Sequence, residues 1–206
     1  MSAETVTPEQ VGRSYHHGDL RSALVAAAVA RVEEVGAEHL SLRAVAAEVG
    51  VSPSAAYHHF ADKDALLGEV AATGLHMLVE AVSTDVAAIP GDTREAARLR
   101  FRAAGQAYVS FALSHPQLFR VAFSPYCLDQ PGVPTTDDGS VPVLSELLND
   151  LVSTGGMNAT VRDDSEDVFV ATLHGLATLA LQGMIPADRV PQLLAKIEQL
   201  IGVDDL

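Results

Sequence analysis

Tryptophan is absent from this 206-residue chain, and cysteine occurs once, at Cys127. A lone thiol excludes an intrachain disulfide, so the fold must hold by burial alone. Basic residues are scarce, with 13 Lys plus Arg against 27 Asp plus Glu and a formal charge of −14. That balance excludes a polyanion binder driven by overall charge, because the molecule as a whole is repelled by phosphate at long range. Long apolar runs are also missing. Only residues 168–185 raise the question of a membrane. They contain His174 and Gln182, follow the acidic DDSED at 163–167, and barely reach the roughly 20 residues a bilayer requires. No span is expected. The opening MSAETVTPEQ is acidic and polar where a secretory signal would be basic and then apolar, so a cytoplasmic protein is expected.

Catalytic signatures are lacking as well. The chain has no nucleophile-elbow pattern, no phosphate-cradling glycine loop, no zinc-type His/Glu pair and no identifiable carboxylate pair, so neither an enzyme nor a catalytic residue is expected. Histidines stand side by side at 16–17 and at 58–59. Adjacent side chains on a helix point about 100° apart, whereas metal-binding pairs sit at i, i+3 or i, i+4, so no metal or other cofactor is expected. Cys127 reads either as an oxidant sensor or as an inert thiol; no basic neighbour in sequence lowers its pKa.

What the chain has is apolar residues at helical spacing. With 48% apolar content and a positive mean hydropathy, it can bury one sizeable core or two small ones. The informative stretch is Ser41 to Lys63, SLRAVAAEVGVSPSAAYHHFADK. Ser41 is a good N-cap, and Leu42, Val45, Ala46 and Val49 repeat with the period of a helix buried on one face. Gly50 stops that helix where a residue without Cβ takes a left-handed backbone most easily. Ser52-Pro53 then starts a second helix, and Ala46 is small enough to let it cross closely. Two short helices with this turn make a helix-turn-helix.

The continuation resembles the tetracycline-repressor (TetR) family of bacterial transcriptional regulators. In LRAVAAEVGVSPSAAYHHFADKDALL, Tyr57, Phe60, Lys63 and Leu66 fall on that family's recurring tyrosine, aromatic, lysine and leucine. The likeness is strong over residues 15 to 70. HPQLFRVAF at 115–123 and LHGLATL at 173–179 resemble a C-terminal domain type of some members, in which a tryptophan shortly precedes the His-Gly pair; this chain has none. The resemblance implies a homodimer, and it places Tyr57 and Lys63 on the DNA backbone.

Taken in order, residues 1–14 read as a mobile arm, residues 15–62 as the DNA-binding domain, and residues 63–206 as a helical ligand-binding and dimerisation domain, for an all-α fold of about nine helices. Asp19 can cap a first helix with the stripe Leu20, Leu24, Ala28, Val32 and Val35. Asp62 can cap a helix of about 27 residues, roughly 40 Å, that ends at Pro90-Gly91 and would serve as a lever. Asp92 with Glu95 is a candidate capping box for a fifth helix, with Phe101, Ala104, Tyr108 and Phe111 inward. Its Arg94, Arg98 and Arg102 read either as an anion site or as bridges to acidic neighbours. Pro116 can open a short helix with Leu118, Phe119, Ala122 and Phe123. Residues 129–140 read as a loop. Helices are expected over 143–153, 163–182 and 188–201. The second of these is apolar nearly all round, so it must be buried on several sides, and part of the surface of the last two helices is expected to meet a second copy in a four-helix bundle.

Residues 1–65 hold 5 Lys plus Arg against 9 Asp plus Glu, so contact with a duplex must rest on donors gathered at one face. Glu33, Glu34 and Glu38 are expected away from that face. The expected DNA contacts are Ser41, Arg43, Ser52, Ser54, Tyr57, His58, His59 and Lys63. Arg43 has the fork that pairs with guanine, and the others can donate to phosphates or base edges. Two readings stay open for Arg43, a base reader or a partner of Glu48, and two for His59, a contact or a packed core histidine. Expected ligand contacts are Tyr108, Phe111, Phe119, Phe123, Tyr126, Phe169, Leu173 and His174; a core histidine is the other reading of His174. The function expected is a homodimeric regulator, a repressor, bound to a palindromic operator in double-stranded DNA and released by a small-molecule effector. The other reading is a ligand-binding helical protein whose helix-turn-helix meets a protein partner.

Overall fold

The computed structural model describes residues 17–127, 142–200 and 203, so the expected arm at 1–14, the loop at 129–140 and Ile201 lie outside the described residues. Among the described residues there are nine α-helices and an isolated bridge between Met157 and Val203. Three helices form the N-terminal unit: α1 (His17–Val35), α2 (Leu42–Val49) and α3 (Pro53–His59). The stripe on α1 packs as its period implies, with Leu24, Ala28 and Val32 fully buried. They meet Leu42, Val45 and Ala46 of α2 and Ala56 of α3 in one apolar core.

The turn between α2 and α3 depends on one backbone conformation. Gly50 takes a left-handed φ of 79°, and its N–H closes the end of α2 on the carbonyls of Ala46 and Ala47. Ser52 then caps α3, its Oγ accepting from the Ala55 N–H at 3.2 Å. Ser41 takes the N-cap position of α2 with an extended backbone, but its hydroxyl makes no capping bond, contrary to expectation. Asp19 is likewise not the cap of α1, which begins two residues earlier at His17.

The long α4 (Lys63–Ala87) is capped by Asp62, whose carboxylate accepts from the Ala65 N–H at 2.8 Å. Its 25 residues span about 37 Å. It packs on α1 at one end and on α5 (Arg94–Ser114) and α6 (Pro116–Ala122) along its length. Gly74 permits the closest approach, because a Cβ there would lie 2.9 Å from Leu118 Cγ of α6. Among the described residues it is α4, rather than 168–185, that is long and apolar enough to cross a membrane, and half of its most apolar stretch is buried against these neighbours.

Helix α5 is the centre of the C-terminal unit, flanked by α7 (Pro142–Ser153), α8 (Ser165–Leu181) and α9 (Val190–Leu200). Its cap is Thr93, whose Oγ accepts from the Ala96 N–H at 3.2 Å, and not the expected Asp92–Glu95 box. Phe101 of α5 stacks on Phe169 of α8, ring centroids 4.3 Å apart. One side of helix α8 stays open within the single chain. Val168 (51%), Leu179 (39%), Ala171 and Gly175 face outward, as do Met184 (70%) and, on α9, Leu200 (75%).

Candidate nucleic-acid interface and ligand cavity

Donors gather at the tip formed by α2, α3 and the start of α4. Arg43, Ser52, Ser54, Tyr57 and His58 are exposed there, Tyr57 at 46%. Ser41 is exposed just ahead of α2, and His59 is half-buried on the inner side of α3. The apolar residues of both helices face the other way, so α3 offers a polar face and small Ala55 between Ser54 and Tyr57. Glu48 is not the partner of Arg43. Its carboxylate binds Arg31 of α1 at 3.0 Å, and the Arg43 guanidinium has no intramolecular partner among the described residues.

Two contacts set the angle at which this tip is held. Arg21 of α1 binds Glu69 of α4 through two hydrogen bonds of 2.8 and 3.0 Å, and its guanidinium lies 5.1 Å over the ring of buried Phe60, the residue that ends α3. Lys63 Nζ donates to the Glu38 carbonyl at 2.9 Å. That bond brings Glu38 beside Lys63 and corrects the expectation that it stands well apart, though its carboxylate folds back over Gly36. One ammonium proton is used, and two remain for a phosphate. Glu33 points away, to His115 Nδ1 at 2.9 Å, where α5 gives way to α6.

Three arginines of α5, Arg98, Arg100 and Arg102, are engaged within the chain. Arg102 grips buried Glu198 of α9 with bonds of 2.6 to 3.2 Å, and Arg98 lies 3.8 Å from Glu95. Arg100, unremarked in the sequence, binds Asp150 of α7 and the carbonyls of Ile89 and Gly91. Within the expected row, Arg98 and Arg102 bridge to acidic neighbours.

A cavity of about 90 Å³ lies between α4, α5, α7 and α8. Of the expected ligand contacts, Tyr108, Phe123, Phe169 and Leu173 form part of its wall. Phe111 instead lines a surface cleft with Glu80 and His115 on the far side of α5, and Tyr126 lies partly exposed beyond α6, away from the cavity. Phe119 and His174 stand behind the wall. His174 stacks on Phe119 (5.1 Å), meets Phe123 edge-on (4.8 Å) and has its Nδ1 3.1 Å from the Tyr108 hydroxyl. Burial raises the Tyr108 phenol well above its ordinary range and lowers the His174 imidazole, so both favour their neutral forms. A protonated phenol donating to a neutral imidazole satisfies both. The wall residues missed in the sequence come from α4 (Leu75, Leu78, Val79, Val82) and α7 (Val143, Leu144, Leu147), with Ala104 of α5 and Val170 of α8. A second apolar line on α4, Leu75, Val79 and Val82 at i, i+4, i+7, was the available signal.

Residues 24–70 match the model of the tetR family of bacterial regulatory proteins, and residues 101–200 match that of a tetracyclin repressor-like C-terminal domain. The chain belongs to the TetR family. It has the fold of that family's transcriptional regulators, which bind DNA and are not enzymes. No curated protein matches this TetR-family chain. Over 94% of its length it is similar to the whole of a protein of unknown function from Rhodococcus sp. RHA1, with 31% identity and a TM-score of 0.76. A regulatory protein of the tetR family from Rhodococcus RHA1 shares 18% identity over 90% of this chain and 98% of its own, with a TM-score of 0.62. The multidrug binding protein EbrR, solved in complex with imidazole, shares 21% identity over 95% and 98%, with a TM-score of 0.57. These last two likenesses speak for the fold alone.

Proposed function

We propose that this TetR-family protein is a cytoplasmic repressor that binds a palindromic operator as a homodimer and is released when a small molecule enters the C-terminal unit. The observation that carries the DNA reading is the α2–α3 tip, where Arg43, Ser54, Tyr57 and His58 are exposed and none is spent on a partner among the described residues. Residues 15–62 are the reading domain and residues 63–206 the effector and dimerisation domain. Arg43 reads base edges; Ser41, Ser52, Ser54, Tyr57, His58, His59 and Lys63 hold phosphates or base edges.

The open apolar side of α8, continued by Leu200 of α9, supports dimerisation through these two helices. Two-fold symmetry then sets the tips on half-sites about one helical turn, roughly 34 Å, or a multiple apart. An effector acts by preferring one spacing of the tips. Taking binding-competent protein from 99% to 1% requires about 5.5 kcal/mol of differential affinity. Helix α4 touches both the reading unit and the cavity, so a tilt of a few degrees acting over its roughly 37 Å displaces the tip by a few Å.

The test is footprinting of the DNA upstream of the protein's own operon. A protected palindrome, lost in Arg43→Ala, is the expected result. A folded dimer that protects no DNA there or in random-site selection would return the tip to a protein-partner role.

A further inference from the structure

We infer that the cavity between α4, α5, α7 and α8 takes a small, neutral hydrocarbon moiety, a short alkyl chain or one unsubstituted ring, held without any hydrogen bond. The inference rests on the effector reading above and narrows it to a chemical class.

The wall dictates the class. It exposes no polar atom to the cavity. Tyr108 is the one wall residue with a polar side-chain atom, and its hydroxyl is turned to His174 behind the wall at 3.1 Å. A charge moved into this space would lose its hydration and find no partner, and a hydroxyl or amide would fare the same way to a lesser degree. Three rings, Tyr108, Phe123 and Phe169, together with branched aliphatics, offer only dispersion contacts.

Volume limits the size. A lined apolar void of about 150 Å³ stays dry and binds benzene or xenon. The present 90 Å³ is smaller, so it suits a short aliphatic branch as it stands and a single ring after slight movement of the walls. Any polar end of the ligand is expected at Phe123, among the described wall residues the one that is itself exposed, at 39%.

The experiment uses the full-length protein with xenon, cyclohexane and toluene as probes, and benzoate and anilinium as charged counterparts of toluene. Methyl resonances of Val79, Leu144 and Leu147 are followed together with the thermal midpoint. Expected are saturable shifts of these methyls and a raised midpoint with the hydrocarbons, and affinity for toluene at least about 100-fold above that for benzoate or anilinium. Both responses should vanish in Ala104→Leu, which fills the cavity from α5. Should that variant fail to fold, Val79→Phe fills it from a half-buried position on α4. Three results overturn the inference: a packing void only, with no uptake of any hydrocarbon; charged probes bound as well as toluene; or uptake undiminished in a folded cavity-filled variant. Operator affinity is measured separately by fluorescence anisotropy. Hydrocarbon uptake without loss of operator affinity sustains the inference and removes the release mechanism; operator binding without hydrocarbon uptake overturns the inference and leaves the DNA reading intact.

Discussion

Arg43 and Lys63 carry the same charge and are held in opposite ways. The Arg43 guanidinium has no partner among the described residues, whereas Lys63 is anchored on the Glu38 carbonyl and can offer only its remaining protons. Arg43→Ala should therefore lose about 1–3 kcal/mol at particular base pairs, and Lys63→Ala should weaken all sequences alike and reduce the salt slope by about 1. Titration of each variant on an operator and its single-base variants, at several salt concentrations, checks this. A common sequence dependence for both would show that the division of roles is wrong. In the C-terminal unit, His174→Phe leaves the buried Tyr108 hydroxyl unpartnered, and denaturant unfolding should show a loss of about 1–3 kcal/mol. The imidazole also has a pH signature. Burial lowers its folded-state pKa below the ordinary value of about 6.5, so the unfolded chain binds the proton more readily. Its contribution is present above that pH and lost on acidification. His174→Phe should flatten this part of the stability–pH curve measured by thermal melts.

Helices here are positioned by what they allow to come close. Gly74 lets α4 lie against Leu118 of α6, where an added Cβ would come within 2.9 Å of buried side-chain carbon. Gly74→Ala should cost about 1–3 kcal/mol by forcing α4 and α6 apart. Because α6 also touches α1, the same variant should change operator affinity by more than its stability loss alone explains. Comparing chemical denaturation with anisotropy on the folded fraction tests that. The α1–α3–α4 corner is pinned differently, by Arg21 between Glu69 and the Phe60 ring. Partners 48 residues apart in sequence cannot be matched by spacing, which is why this clamp was invisible before the fold was known.

For the molecule as a whole, a formal charge of −14 and an uncovered apolar side of α8 act together. The charge disfavours promiscuous association with other acidic molecules, while the apolar side favours a self-complementary partner. Val168→Glu combined with Leu179→Glu should yield a monomer by analytical ultracentrifugation with an unchanged helical spectrum, and operator binding should fall with it. An unchanged dimer would relocate the interface to another surface.

The order of helices, the turn at Gly50 and the caps at Ser52 and Asp62 were legible in the residues, because periodicity and capping act over four positions or fewer. So was the polar character of the tip. Capping by Thr93 rather than Asp92 was not, since either of these adjacent residues can take the N-cap position and the local backbone decides where the helix starts. Cross-helix pairs such as Arg31–Glu48, Arg102–Glu198 and Tyr108–His174 were decided by tertiary structure alone. The same holds for the cavity, whose wall is drawn from four helices, and for the open side of α8, where an all-apolar helix says that something must cover it but not which faces its own chain covers. Local forces choose the elements; which side chains are left over for DNA, ligand or partner is settled only when those elements pack.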